Sequence, residues 1–257
     1  MFGICNLSIV PCRAEASDKS EIVTQLLFGD HFEILELAGN WVKIRIFADG
    51  YICWIGSKQF QYISFNTYEL INSFPPAFAG DLIQTIKHQR RNEIFPILIG
   101  SVIPFIDGEN FNIENENYIF EGGIFEPEIN LRKSIVSLSY LYLNAPYLWG
   151  GKTPFGIDCS GLTQMVFKLH GKNLPRDAKD QALIGETLSF VEEAEPGDLA
   201  FFDNEEGFII HVGLIIGDSK IIHASGRVRI DKLDHQGIFN AETKSYSHQL
   251  RLLKKVI

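Results

Sequence analysis

Residues 146–161, PYLWGGKTPFGIDCSG, form a glycine-punctuated loop that runs into an apolar helical repeat, and the reading of that junction decides the fold of the second half of the chain. Leu162, Met165, Val166 and Leu169 stand at i, i+3, i+4 and i+7, one face of a helix that Gly171 ends. The loop therefore delivers Asp158, Cys159 and Ser160 to a helix start. Unpaired N–H groups there carry partial positive charge, which favours the thiolate of Cys159, the nucleophilic form of the side chain. A lone cysteine is more often a small buried core residue, and Cys5, Cys12 and Cys53 are read that way.

Two histidines separate Cys159 from the others. FIIHVGLII (208–216) and KIIHAS (220–225) read as apolar strands joined around Gly217-Asp218-Ser219. His211 and His223 each lie six residues from Gly217, so an antiparallel pair centred there sets them opposite one another on one face, unless the register slips by one. Each alone reads as a satisfied core histidine, since a buried imidazole needs a partner. Together with a helix-start cysteine, they fit a nucleophile, a base and a group that orients the base. The same three residues are also a possible zinc ligand set, but no close pair such as H-E-x-x-H or C-x-x-C anchors one. No metal or organic cofactor is expected.

Residues 31–55 read as a β-meander: HFEILEL, the turn AGN, WVKIRIF, ADG, then YICWI. Val42, Ile44 and Ile46 alternate with Trp41, Lys43 and Arg45, which gives the middle strand one buried face. Strands this short suggest a small barrel. The segment 64–128 holds IFPILIGSVIPFI and ENYIFEGGIF, interrupted by Pro75-Pro76, Pro96, Pro104 and Gly122-Gly123. It is expected to form a second, divergent barrel with its prolines at edges or turns. Glu126-Pro127-Glu128 marks a boundary before a helix at 130–143. Three units follow: 1–63, 64–128 and 129–257.

Composition narrows the function. The 46% hydrophobic and 21% charged content is that of a folded chain rather than a disordered one. Lys and Arg number 23 against 32 Asp and Glu, a net −9, which argues against nucleic acid or an anionic membrane as partner. The four cysteines contain no C-x-x-C pair and are too sparse for a disulfide framework, so reduced thiols are expected. MFGICNLSIVPC lacks the basic segment and small-residue cleavage site of a secretory signal, and no run of about 18 apolar residues occurs. The expectation is a cytoplasmic monomer.

Ordered motifs carry a family resemblance. A Gly-Asp before a strand, then G-N-W-V-K-I-R and D-G-Y-x-x-W-I, make residues 1–63 resemble a bacterial SH3-like domain. The segment 130–257 resembles the NlpC-type cysteine peptidases of bacterial cell-wall metabolism. It does so through P-Y-L-W-G-G, D-C-S-G around Cys159, L-P-R-D at 174–177, P-G-D-L-A-F-F at 196–202, H-V-G-L-I-I-G and I-I-H-A-S. The resemblance implies a papain-like catalytic domain behind an SH3-like one; with the second barrel expected over 64–128, the expected fold is α+β, that catalytic domain preceded by two small SH3-like β-barrels. The resemblance also implies roles: Cys159 as nucleophile, His211 as general base, His223 as the polar group holding the imidazole, and Tyr147 beside the developing oxyanion.

The pairing of the two domain types resembles the subgroup that cleaves the γ-D-glutamyl to diamino-acid bond of small murein peptides with a free N-terminal L-Ala. That likeness implies that Asp158, Tyr51 and Glu15 receive the L-Ala ammonium, and that Ser160 and Arg176 hold the D-Glu α-carboxylate. Simpler readings stand beside these. Asp158 serves as a helix cap, Arg176 as a surface residue before a helix capped by Asp177, Tyr51 and Trp54 as barrel core, and Glu15 as part of the solvated stretch RAEASDKSE. Ala178 stands where relatives carry a small hydroxyl residue two positions after the arginine, which removes one hydrogen bond to substrate. The expected function is a cysteine endopeptidase acting on free murein peptides in recycling. A secreted endopeptidase of intact peptidoglycan and a non-catalytic wall-peptide-binding module are the alternatives.

Overall fold

The alternating apolar positions at the start of the chain fold as strands in the computed structural model, which describes residues 1–257. These are β1 (Phe2–Ile4), β2 (Ile9–Arg13), β3 (Ile22–Leu27), β4 (His31–Ala38), β5 (Trp41–Ile46), β6 (Ile52–Gly56) and β7 (Gln61–Ile63). They form one antiparallel sheet in the order β3-β2-β6-β5-β4-β1-β7, with the meander β4-β5-β6 at its centre. Val42, Ile44 and Ile46 point inward and pack with Val10, Leu26, Phe32 and Ile55. Cys5, Cys12 and Cys53 lie in the same core as free thiols.

Residues 64–128, read above as a second barrel, contain helix α1 (Phe65–Ser73) and a four-stranded antiparallel sheet. Its strands are β8 (Ile83–His88), β9 (Glu93–Leu98), β10 (Asn110–Ile113) and β11 (Glu116–Phe120), in the order β10-β11-β8-β9. Pro96 sits on the edge strand β9, where its missing N–H leaves no gap in an outer ladder. One core joins the two sheets: Ile4, Phe28 and Ile63 pack with Ile86, Ile97, Phe111, Tyr118 and Phe120. Residues Met1–Glu126 accordingly form a single compact unit, and Pro127–Ile257 form the other.

The second unit begins with α2 (Leu131–Tyr140), capped by Asn130, whose side chain accepts the Lys133 N–H at 3.0 Å. The strands β12 (Lys152–Thr153) and β13 (Gly156–Ile157) make a short hairpin before α3 (Cys159–Leu169). Every residue of α3 is buried. Its two mid-helix polar side chains tie it to the segment that follows: Thr163 donates to Gln181 at 2.7 Å and the Gln164 amide nitrogen to the Leu174 carbonyl at 2.9 Å. Gly171, at φ +73, ends the helix as expected, with the Lys172 N–H reaching back to the Phe167 carbonyl.

After α4 (Ala178–Gln181) come β14 (Glu186–Leu188), β15 (Leu199–Asp203), β16 (Ile209–Gly217), β17 (Lys220–Ser225), β18 (Arg227–Asp234), β19 (Gly237–Asn240) and β20 (Ser245–Lys255). The sheet order is β14-β20-β15-β16-β17-β18-β19, and an additional β19–β20 pairing closes six of the strands into a ring. Helix α3 packs across β16 and β17. No helix is long and apolar enough to cross a membrane.

One glycine ties the first unit together. Gly29 has φ +81, and a Cβ there would lie 2.0 Å from the Val102 carbonyl oxygen, while the Val102 N–H bonds the Phe28 carbonyl at 2.8 Å. Gly29→Ala meets both a strained backbone and an immovable atom. A loss of about 2–4 kcal/mol is expected, read as a lowered urea midpoint; an unchanged midpoint would contradict the packing described.

Candidate active site

The loop before α3 is organised by one carboxylate. Asp158 is the N-cap of α3, and its Oδ1 accepts the Gly161 N–H at 2.7 Å, while Oδ2 accepts the Gly150 N–H at 2.8 Å. The Arg176 guanidinium grips both oxygens, at 3.0 and 2.5 Å, and donates to Ser160 Oγ at 2.8 Å. Both partners are almost completely buried, so the pair compensates two charges removed from water. Burial opposes the charge of Arg176, but Asp158 beside it more than offsets this and raises its pKa. The capping reading of Asp158 therefore holds, and Arg176 is an interior residue rather than a surface one. Gly161 permits the approach: a Cβ there would stand 2.3 Å from the Gly151 carbonyl oxygen.

Cys159 is the first residue of α3 and is buried. Burial pushes its thiol up to about 12, with the Asp158 charge adding to the shift. The N–H groups of Val212 and Ser160 and the Arg176 charge pull in the other direction without prevailing. The shift runs against the thiolate expected from the helix start. A helix terminus supplies about half a unit charge in its first turn, and desolvation together with a neighbouring carboxylate outweighs it. A thiol shifted this way reacts as a nucleophile only with a base beside it.

Strands β16 and β17 carry the two histidines that are candidates for that base. The strands pair Leu214 with Ile222 and Ile215 with Ile221, with a bulge before Gly217. This register is centred one residue beyond Gly217, so His211 and His223 are diagonal rather than directly opposite neighbours. They remain on one face, because the shift moves the pairing by two residues. Continued past Leu214, the register sets Gly213 opposite His223, and a Cβ on Gly213 would come within 3.0 Å of the His223 Cβ. The missing side chain leaves room for the imidazoles to meet, with His211 Nε2 2.9 Å from His223 Nδ1.

The line continues onto β18, where His223 Nε2 lies 3.0 Å from Asp231 Oδ2. Arg229 donates from Nε to Asp231 Oδ2 at 2.7 Å and from a terminal nitrogen to Oδ1 at 3.0 Å. Burial works against the Asp231 carboxylate, yet His223 and Arg229 hold its pKa below the ordinary range. Asp231, Arg229 and Gly213 were not singled out in the sequence. The available signal was the register of the next hairpin, which pairs His223 with Arg229 and so sets Asp231 diagonally beyond it. His248, also not singled out, stacks on His211 with ring centroids 4.1 Å apart and planes at 19°.

Burial, with lesser effects from His248 and His223, holds the His211 pKa well below 6.5. Burial likewise lowers His248 to about 4. The nitrogens of His211, His223 and His248 lie within 4.8 Å of one another, a spacing compatible with a metal ion. However, the first two share a hydrogen bond, and near-parallel stacking aims the His211 and His248 lone pairs side by side rather than at one point.

Tyr147 is held by its N–H to the Gly226 carbonyl at 3.0 Å. Burial, then the charges of Cys159 and Asp158, push its phenol up to about 12, so it stays a hydrogen-bond donor within the electrostatic reach of Cys159. Ser160 is buried against Arg176. Asp177 is the N-cap of α4 but makes no side-chain cap bond. Glu15 and Tyr51 belong to the first unit. Glu15 is exposed between β2 and β3, and Tyr51 precedes β6, half-buried against the barrel core.

Comparison with known proteins agrees with this geometry. Residues 144–246 match the NlpC/P60 family, and residues 12–60 match the bacterial dipeptidyl-peptidase Sh3 domain. The chain carries an NlpC/P60 cysteine-peptidase domain behind a bacterial SH3 domain. It is 29% identical to the gamma-D-glutamyl-L-lysine dipeptidyl-peptidase of Bacillus subtilis over 79% of this chain and 72% of that protein. It is 28% identical to dipeptidyl-peptidase 6 of Lysinibacillus sphaericus over 87% of this chain and 88% of that one. An NlpC/P60 family protein from Bacillus cereus has the same fold, with a TM-score of 0.83 at 19% identity over 100% of this chain and 99% of that one.

A protonated resting thiol in this NlpC/P60 domain has a direct chemical signature. Alkylation of Cys159 by iodoacetamide, followed by peptide mass spectrometry, is expected to accelerate about tenfold per pH unit from pH 7 to 9 without a plateau. A fast, pH-independent rate over that range would show a resting thiolate instead.

Proposed function

We propose that this peptidase hydrolyses the bond between the γ-carboxyl of D-Glu and a diamino acid in small murein peptides whose N-terminal L-Ala is free. The observation that carries the reading is the buried Asp158–Arg176 ion pair on the residues flanking Cys159. An L-Ala-γ-D-Glu unit carries one ammonium, and its γ linkage leaves one α-carboxylate. A paired carboxylate and guanidinium beside the nucleophile match that zwitterion in charge, with Ser160 as a further polar contact. The names of the relatives support it, because a dipeptidyl-peptidase counts its cut from a free amine.

The chemistry follows from the groups present. The Cys159 thiol gives its proton to His211 as sulfur bonds to the γ-carbonyl carbon, and the carbonyl π electrons move onto oxygen. Tyr147 and the backbone N–H of Cys159 at the start of α3 donate to that oxyanion. Collapse breaks the C–N bond as the imidazolium protonates the departing amine. Water, deprotonated by His211, then hydrolyses the thioester and returns the thiol. Action on released peptides would place the enzyme in murein-peptide recycling.

Incubation with L-Ala-γ-D-Glu-L-Lys, its diaminopimelate counterpart and their N-acetylated forms tests the proposal. The free peptides are expected to yield the dipeptide and the diamino acid. Acetylation should lower kcat/KM on the order of 100-fold, the worth of one charge-assisted contact in a dry site. Equal cleavage of free and acetylated peptides would overturn it.

A further inference from the structure

The hydrogen bonds along the line from Asp231 to His211 decide which nitrogen of each histidine carries its proton. A carboxylate held by a guanidinium only accepts, so His223 must donate to Asp231 through Nε2–H. A neutral His223 then has a bare Nδ1, which accepts from His211 Nε2–H at 2.9 Å. The remaining nitrogen of His211, Nδ1, is therefore bare and free to take a proton. We infer that Asp231, clamped by Arg229, is a positioning residue that sets the tautomer of both histidines and makes His211 Nδ1 the acceptor of the Cys159 proton.

Burial supports this assignment. Asp231 is 7% exposed and His223 is 1% exposed, so solvent does not compete for the bonds that transmit the preference. Arg229 is itself held from the far side, by Asn240 at 3.2 Å and by Glu242 at 3.2 Å, which keeps its fork on Asp231. During attack the new proton makes His211 an imidazolium, and its Nε2–H and the His223 Nε2–H then point successive dipoles toward the Asp231 charge. The other rings against the pair are Phe202 and His248, neither of them an anion, so Asp231 is the anion at the end of the chain.

The inference rests on the cysteine-peptidase reading but not on which peptide is cut. Its first test needs no substrate or variant: nitrogen-15 shifts of the histidines in the wild-type protein at pH 7.5. His211 is expected to carry its proton on Nε2 and His223 on Nε2; a proton on His211 Nδ1 would overturn the assignment. The second test is Asp231→Asn, which leaves one acceptor oxygen for three donors and removes the charge. It is expected to lower kcat about 100-fold or more with KM within about threefold, and to mix the His211 tautomers. A kcat within about threefold of wild type, or an unchanged tautomer in a folded variant, would equally overturn the inference.

Discussion

A carboxylate taken out of water keeps its charge only if its oxygens are paired, and the catalytic unit is arranged around meeting that requirement at Asp158. Its partners come from separate pieces of chain: the loop at Gly150, the first turn of α3 at Gly161, and Arg176 beyond the end of the helix. Because each partner is needed, the loop, the helix start and the L-P-R-D turn are held in one arrangement. Losing one member of such a buried pair costs about 3–5 kcal/mol, so the geometry around Cys159 is fixed rather than merely favoured. Burial raises the Cys159 thiol, and the charge of Asp158 adds to that shift.

A protonated thiol makes the base indispensable, and the sheet supplies it along a diagonal. His211, His223 and Asp231 occupy three consecutive strands, each two residues out of direct opposition with the next, and Gly213 leaves space for the first contact. Desolvation holds His211 neutral in the resting enzyme and would make its imidazolium costly by itself. The carboxylate at the end of the line offsets that cost during the reaction. Nucleophile and base are thus both in their neutral forms until a substrate carbonyl receives the sulfur.

Much of this was legible in the residues. Cys159 at a helix start follows from the apolar spacing after the D-C-S-G, and the shared face of His211 and His223 follows from their symmetry about Gly217. The direct opposition expected of the histidines was not met, because a bulge before Gly217 moves the centre of the hairpin and a bulge leaves no mark in composition. Asp231 was missed because its partner lies across a second turn, and the Asp158–Arg176 bond because it spans 18 residues of sequence. Burial, which opposes the thiolate that a helix start favours, is a property of the assembled core, and a helix-end argument made from sequence cannot weigh it. The core shared by both sheets of the first unit likewise depends on Phe28 and Ile63 facing Phe111 and Tyr118, which periodicity does not report.

On the proposed mechanism a neutral, buried Cys159 becomes a covalent nucleophile by giving its proton to His211, the first member of this line. Rapid-quench mass spectrometry during turnover of L-Ala-γ-D-Glu-L-Lys reads it most directly. A transient thioester of the L-Ala-γ-D-Glu acyl group is expected on the peptide containing Cys159, lost on hydroxylamine treatment and absent from Cys159→Ala. Turnover by Cys159→Ala, or an acyl group carried on any other residue, would contradict it.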